Sequence, residues 1–138
     1  MDVVILIGRI LLSMIFIGSG SAGHLMSSDE TAAYAESRGV PNAKLLTQLS
    51  GIGMLAAGIG VAFGIWADLA VLGIVGYSLI AAFMVHHFWT DDDPMVQQAE
   101  MSGFMKNLAI AGGGLILFGF LQLNDGVGLT FTDNLFNF

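Results

Sequence analysis

Six side chains near one end of a strongly hydrophobic chain have the chemistry to bind a ligand: His24, His86, His87, Trp89, Lys106 and Asn107. Imidazole, ammonium and amide groups can donate hydrogen bonds to a carbonyl headgroup such as that of a quinone. Three interpretations stay open: anchoring of helix ends at the membrane interface, a quinone headgroup site with His87 or Lys106 as the donor, and axial ligation of a haem by two of the histidines. No catalytic residue and no metal site are predicted.

A second group of polar residues lies toward the other end of the same hydrophobic segments. Arg9 is about two helical turns into the first apolar run, Asp68 begins the third and Gln122 ends the fourth. Ionisable groups inside the membrane are costly unless they are paired. The sequence therefore predicts a structural ion pair between Arg9 and Asp68, assisted by Gln122; the alternatives are snorkelling of Arg9 to the lipid headgroups and a role of Arg9 in substrate binding.

The composition of the chain excludes several kinds of binding site and partner. The chain has 138 residues, of which 55% are hydrophobic and 11% charged, and its formal net charge is −7. An acidic chain lacks the cationic surface that nucleic acid binding requires, so no nucleic acid partner is expected. The absence of cysteine excludes disulfides, thiolate nucleophiles and zinc–thiolate sites.

The elements that must position the polar residues are four apolar runs: 3–23, 45–66, 69–88 and 104–123. Runs of about 20 apolar residues can cross a bilayer as helices, because the helix satisfies its own backbone polar groups in lipid. The predicted fold class is therefore all-α, a bundle of four transmembrane helices in a single domain over residues 1–123. Residues 29–38 predict a short amphipathic surface helix between spans 1 and 2, and residues 124–138 form a polar and aromatic tail whose aromatic side chains enter the interface or dock on a partner.

The even number of spans places both termini on one side of the membrane, here called side A, and the two longer connections on side B. Helical spacing predicts that Arg9, Ser13, Phe16 and Gly20 face the bundle interior, as do the small residues of span 2 (53, 56, 60 and 64) and the 73/76/80/83/87 face of span 3. His87 is thereby the predicted inward histidine. The excess of lysine and arginine on side B favours a cytoplasmic side B.

Four segments together resemble one family. They are residues 9–20 of the first span, AYAESRGVP at 33–41, VHHFW at 85–89 and FMKNLA at 104–109. Over about residues 5–123 the chain is similar to the DoxX family of small membrane proteins. The resemblance implies a four-helix integral protein, usually of the bacterial cytoplasmic membrane, with some relatives linked to quinone-dependent sulfur or thiol oxidation and to complexes that handle oxidative stress. The chain has His24 where family members often have lysine, and residues 51–54 lack the acidic residue that is often present there.

The functional expectation depends mainly on the chemical groups that the chain lacks. With no thiol, no cofactor motif and few intramembrane ionisable groups, the chain is expected to be a non-catalytic accessory or scaffold subunit of a membrane redox or respiratory complex. The alternatives are a quinone-reactive oxidoreductase subunit with its headgroup site near His87 and Lys106, and a small-solute transporter. The expected partners are the lipid bilayer and other membrane subunits or further copies of the chain. No resident cofactor is expected, and quinone is the ligand that the polar cluster would suit.

Overall fold

The computed structural model describes residues 2–123 and 128–136. Helix α1 spans Asp2–Gly18 and continues as a π-helix over Ser19–Met26, followed by α2 at Ser28–Ser37 and α3 at Ala43–Phe63. Helix α4 spans Ala67–Met84, a 3₁₀ turn covers Phe88–Thr90, and α5 spans Pro94–Leu123. Four of these segments are long and apolar enough to cross a membrane. The predicted all-α fold class, with four membrane-spanning helices, is confirmed.

The helices pack in a sequential order that brings the two longer connections to one end. Helix α3 packs on both α1 and α4, α4 packs on α5, and the short α2 packs on α3 and the π-helix. The core includes Phe16, Met54, Val61, Val71, Ile74 and Leu121. Because α2 lies at the side B end, it covers the region where α3 begins and α4 ends.

Helix α5 begins at Pro94, ten residues before the predicted start of the fourth span. The side chain of Asp93 accepts a hydrogen bond from the backbone N–H of Met95 at 2.8 Å, which caps the helix, and proline is favoured in the first turn. The α-helix of the third span ends at Met84, four residues earlier than predicted. Residues 94–103 therefore extend a spanning helix instead of forming a loop.

The interior face of the first span is confirmed, since Arg9, Ser13, Phe16 and Gly20 are all buried. The predicted interior face of span 3 is wrong: Ile80 and Phe83 are 60% and 57% exposed. Its buried residues include Val71, Ile74, Val75, Ser78 and Ala82. A helix that is apolar all round carries no signal for which side meets protein and which meets lipid.

Glycines do mediate close helix contacts, and of the predicted positions in span 2 Gly60 and Gly64 are buried. Gly53 and Ala56 are exposed, whereas Gly51 and Gly58 are buried against the first helix. A Cβ on Gly58 would lie 2.8 Å from Cγ1 of Ile17, so only glycine permits this approach of the two backbones.

The described part of the tail, residues 128–136, folds back onto the side A end of the bundle. The backbone N–H of Phe131 donates to the carbonyls of Phe63 and Gly64, and the side chain of Asn134 donates to the carbonyl of Leu121. Of the tail aromatics predicted to enter the interface or dock on a partner, Phe131 is 77% exposed and Phe138 lies outside the described residues, as do residues 124–127 and 137. The described tail is thus part of the bundle.

Candidate functional site

Arg9 binds backbone carbonyls at the end of a helix. The predicted ion pair between Arg9 and Asp68 is not formed in the structure. Its guanidinium donates to the carbonyls of Val61 at 2.8 Å, Ala62 at 3.1 Å and Leu129 at 3.1 Å. Val61 and Ala62 belong to the last turn of α3, whose carbonyls have no helical donor, and a cation is favourable at a helix C-terminus. No salt bridge joins Arg9 to Asp68, both of which are described.

Asp68 has a corresponding role at the start of α4. Its carboxylate accepts hydrogen bonds from the backbone N–H groups of Leu69 at 2.9 Å and Phe136 at 2.6 Å. A carboxylate at a helix N-terminus compensates unpaired backbone donors. Gln122 does not assist, because its amide atoms are buried without a hydrogen-bond partner among the described residues. Side A is therefore closed by charged side chains bound to backbone groups.

The π-helix fixes the position of His24 at side B. Its wider turns form hydrogen bonds between residues five apart, and such segments often occur at functional sites. The ring Nδ1 of His24 contacts the carbonyl of Ser19 at 3.0 Å, and Nε2 contacts the hydroxyl of Tyr77 at 3.1 Å. Since both ring nitrogens are engaged, axial ligation of a haem by His24 would require breaking one of these bonds.

His86 lies beyond the end of α4 and is held by a buried carboxylate. Its Nδ1 is 2.8 Å from Oε2 of Glu100, and the hydroxyl of Tyr34 donates to Oε1 of Glu100 at 2.5 Å. Glu100 is only 8% exposed. Burial, and next the hydrogen bond to Glu100, raise the pKa of the Tyr34 phenol far above its usual value, so that the hydroxyl remains a donor. These contacts join α2, α4 and α5.

His87 points to a different group of residues. Its Nε2 is 3.0 Å from the carbonyl oxygen of Arg38, and its Nδ1 contacts Thr90 at 2.7 Å and the guanidinium of Arg38 at 3.2 Å. Arg38 also pairs with both carboxylate oxygens of Asp91, at 2.7 and 3.0 Å. The hydrogen bond from Arg38 lowers the pKa of Asp91 below its usual value. Helical projection placed His87 inward, but the helix ends at Met84 and the projection does not extend to this residue.

A cavity of about 650 Å³ lies between α3 and α4 under α2. Its polar lining includes His24, Tyr34, Tyr77 and His86. Leu46, Leu49, Ile80 and Met84 also line it and are between 41% and 60% exposed on the surface of the spanning helices. The cavity therefore has polar groups on one part of its wall and an apolar wall that is accessible from the lipid.

A smaller cavity of about 100 Å³ adjoins the same histidines. His24, Tyr77, His86, Lys106 and Asn107 contribute to its wall. Asn107 is buried, whereas Lys106 is exposed at the surface. A polar space of this size can hold a few water molecules.

Of the six predicted ligand residues, four line these two cavities: His24 and His86 line both, and Lys106 and Asn107 line the smaller one. His87 and Trp89 lie outside both. Sequence reasoning missed Tyr34, Tyr77 and Glu100. The helix-start signal Asp93-Pro94 was present and would have placed Glu100 on a spanning helix, in its second turn.

Comparisons with known proteins agree with the fold. The DoxX family model matches residues 4–87. Over 117 residues the chain is 33% identical to the inner membrane protein YqjF of Escherichia coli (strain K12), an alignment that covers 84% of this chain and 82% of that protein. No solved structure matches the chain. The chain belongs to the DoxX family and is a multi-pass, lipid-contacting protein of the cytoplasmic membrane.

Proposed function

We propose that the protein is a quinone-binding accessory subunit of a membrane redox complex. The observation that carries the proposal is the larger cavity, which combines polar groups with a lipid-accessible apolar wall. A ligand with a polar headgroup and a long apolar tail would match both parts, with its tail leaving the protein between α3 and α4. Sites for small molecules typically have this mainly apolar lining with a few polar groups that fix orientation.

The polar groups suit a headgroup with oxygen atoms. Tyr77 and His24 already share a hydrogen bond at 3.1 Å, and the hydroxyl can turn toward a ligand carbonyl at the cost of that bond. His86 offers a second contact beside them. Quinone is also the ligand that the family resemblance implies for some relatives, which adds weight to this choice over other amphiphiles.

The test is a binding titration with decylubiquinone on the protein in detergent micelles, together with native mass spectrometry after gentle extraction. We expect saturable binding that falls by up to about tenfold in Tyr77→Phe, because a neutral hydrogen bond contributes about 0.5–1.5 kcal/mol. Ile80→Trp should also weaken binding by filling the lipid-accessible side of the cavity. Phe83→Trp, on an exposed part of the same helix that does not line the cavity, is the matched control. Absence of saturable binding, or equal binding by Ile80→Trp and Phe83→Trp, would overturn the proposal.

A second candidate, a scaffold that binds no quinone, is favoured by the small residues left on the lipid-facing surface. Gly53, Gly73 and Gly113 are exposed, and a Cβ on Gly53 or Gly113 would meet no atom within 4 Å. Small residues let helices of different subunits approach closely. Under this candidate, Gly53→Leu and Gly113→Leu disrupt assembly of the native complex, while Tyr77→Phe has no effect on any associated activity.

A further inference from the structure

His86 occupies the boundary between the two side B cavities and is held there by its surroundings. It lines both the larger and the smaller cavity. Its ring packs directly on the backbone of α5, where a Cβ on Gly103 would lie 2.6 Å from the ring Nδ1. The absence of a side chain at residue 103 therefore sets the place of the imidazole.

The hydrogen bonds of His86 differ between its two ring nitrogens. Nδ1 is paired with Oε2 of Glu100, while the other carboxylate oxygen accepts the hydroxyl of Tyr34. An ionised carboxylate only accepts hydrogen bonds, so Nδ1 carries the hydrogen. Among the described residues no hydrogen bond engages Nε2. In the neutral ring Nε2 is consequently an acceptor, and in the protonated ring it is a donor.

We propose that His86 determines which redox form of the headgroup, quinol or quinone, the larger cavity binds, accepting a hydrogen bond from a hydroxyl when its ring is neutral and donating one to a carbonyl when its ring is charged. This inference rests on the proposed quinone binding and names its chemistry: a quinol is favoured at high pH and a quinone at low pH. No electron transfer is part of it, because the two forms are supplied separately and only the hydrogen bond at Nε2 changes direction.

Other groups around His86 contribute to the charge of its ring. Those that approach it from the neighbouring elements are His24 on the π-helix, Tyr34 on α2 and Arg38 just after it, Tyr77 on α4 and His87 beyond its end, and Glu100 and Lys106 on α5. Of the three histidines, His24 and His87 have both ring nitrogens in hydrogen bonds. Of the two histidines that line the larger cavity, His86 is the one whose second ring nitrogen has no hydrogen-bond partner among the described residues.

The experiment measures the dissociation constants of decylubiquinone and decylubiquinol between pH 5 and pH 8, the range in which histidine changes charge. Donor–acceptor mismatch at one hydrogen bond changes affinity by about tenfold, so the quinol-to-quinone affinity ratio should rise by roughly that factor across the range. His86→Gln supplies both a donor and an acceptor at every pH and should make the ratio independent of pH. His87→Gln, which lies outside the cavities, should keep the pH dependence of the wild type.

A second, independent test changes the position of the His86 ring. Gly103→Ala should displace the imidazole and weaken binding of both forms, whereas Gly113→Ala on the same helix meets no atom within 4 Å and should not. If His86→Gln does not accumulate, ¹⁵N-histidine spectra of the wild type replace it, and an Nε2 signal that is the same with quinone and quinol overturns the inference.

The outcomes separate the two proposals. Saturable binding with a ratio that does not change with pH, or that changes equally in His86→Gln, overturns the role of His86 and leaves quinone binding standing. Absence of binding of either form at any pH overturns the proposed function and this inference with it.

Discussion

Replacing Arg9 by methionine tests the role of the charged residues at side A. Arg9 is 1% exposed and donates three hydrogen bonds to backbone carbonyls, two of them on the last turn of α3. Methionine has a similar length and is compatible with lipid, but it donates nothing. The substitution therefore leaves the carbonyls of Val61 and Ala62 without a partner in a part of the molecule that water reaches poorly.

The expected loss follows from these contacts. Three hydrogen bonds from a charged donor contribute about 1.5–3 kcal/mol each, and removing the guanidinium also recovers its desolvation cost of several kcal/mol. We expect the free energy of unfolding to fall by a net of about 2–4 kcal/mol. Arg9→Lys should lose less than Arg9→Met, because the ammonium keeps the charge at the helix terminus although it lacks the three-way geometry of the guanidinium.

The assay is reversible unfolding in mixed micelles with increasing SDS, followed by tryptophan fluorescence, which reports on side A through Trp66. Ile10→Met, at the neighbouring lipid-exposed position, is the control for a new methionine and should unfold like the wild type. Because Arg9 and Asp68 bind different backbone groups, Arg9→Met/Asp68→Asn should be less stable than either single variant. A double variant more stable than Arg9→Met would reveal an ion pair and refute this reasoning.

Three further predictions use the same unfolding assay. A chain that stops at residue 127 should be less stable than the full chain, since the described tail bonds to the ends of α3, α4 and α5; equal stability would contradict its role as part of the bundle. The hydrogen bond from Arg38 lowers the pKa of Asp91, so their contribution is present above the ordinary carboxyl pKa of about 3.9 and is lost as the pH falls through the lower folded-state value. The stability difference between wild type and Asp91→Asn should therefore persist from pH 7 to pH 5 and shrink only below about pH 4; a difference that is already lost at pH 5 would count against it. Gly51→Ala should lower the free energy of unfolding by about 1–3 kcal/mol, because the added Cβ would lie 2.6 Å from the Cβ of His24. Gly53→Ala has open space around its Cβ and should not destabilise the protein. Similar effects of the two substitutions would argue against close packing at Gly51.

The spans and the interior face of the first helix were predictable because their signals are local. Hydrophobic length identifies a membrane helix, and polar or small residues at three- and four-residue spacing identify its protein-facing side. Arg9, Ser13 and Gly20 supplied that spacing in α1. Helix α4 has few polar side chains, among them the buried Asp68 and Ser78, so the choice of its buried face depends mainly on where α5 packs, and glycine positions were a poor substitute for that information.

The candidate site was only partly predictable, for a different reason. His24 and His86 could be placed at one membrane level from the ends of the spans. Their partners could not, because Tyr34 reaches Glu100 across 66 residues of sequence and Tyr77 reaches His24 across 53. Such contacts depend on how α2 lies across the bundle, which no local pattern encodes.

The charged side chains at side A bind backbone groups, whereas side B also has hydrogen bonds between side chains, and this difference supports the proposed ligand site at side B. At side A, Arg9 and Asp68 bind backbone groups at helix ends, and displacing either leaves those groups unsatisfied at a cost that a weak ligand could not offset. At side B some side chains also bind backbone carbonyls, but the contacts beside the cavity include pairs of side chains, as in Tyr34 with Glu100 and His24 with Tyr77, in which a rotation exchanges one partner for another. A ligand headgroup can enter that second network by replacing a hydrogen bond with an equivalent one. Binding that depends on exchange of hydrogen bonds therefore belongs to side B, where the cavity between α3 and α4 is found.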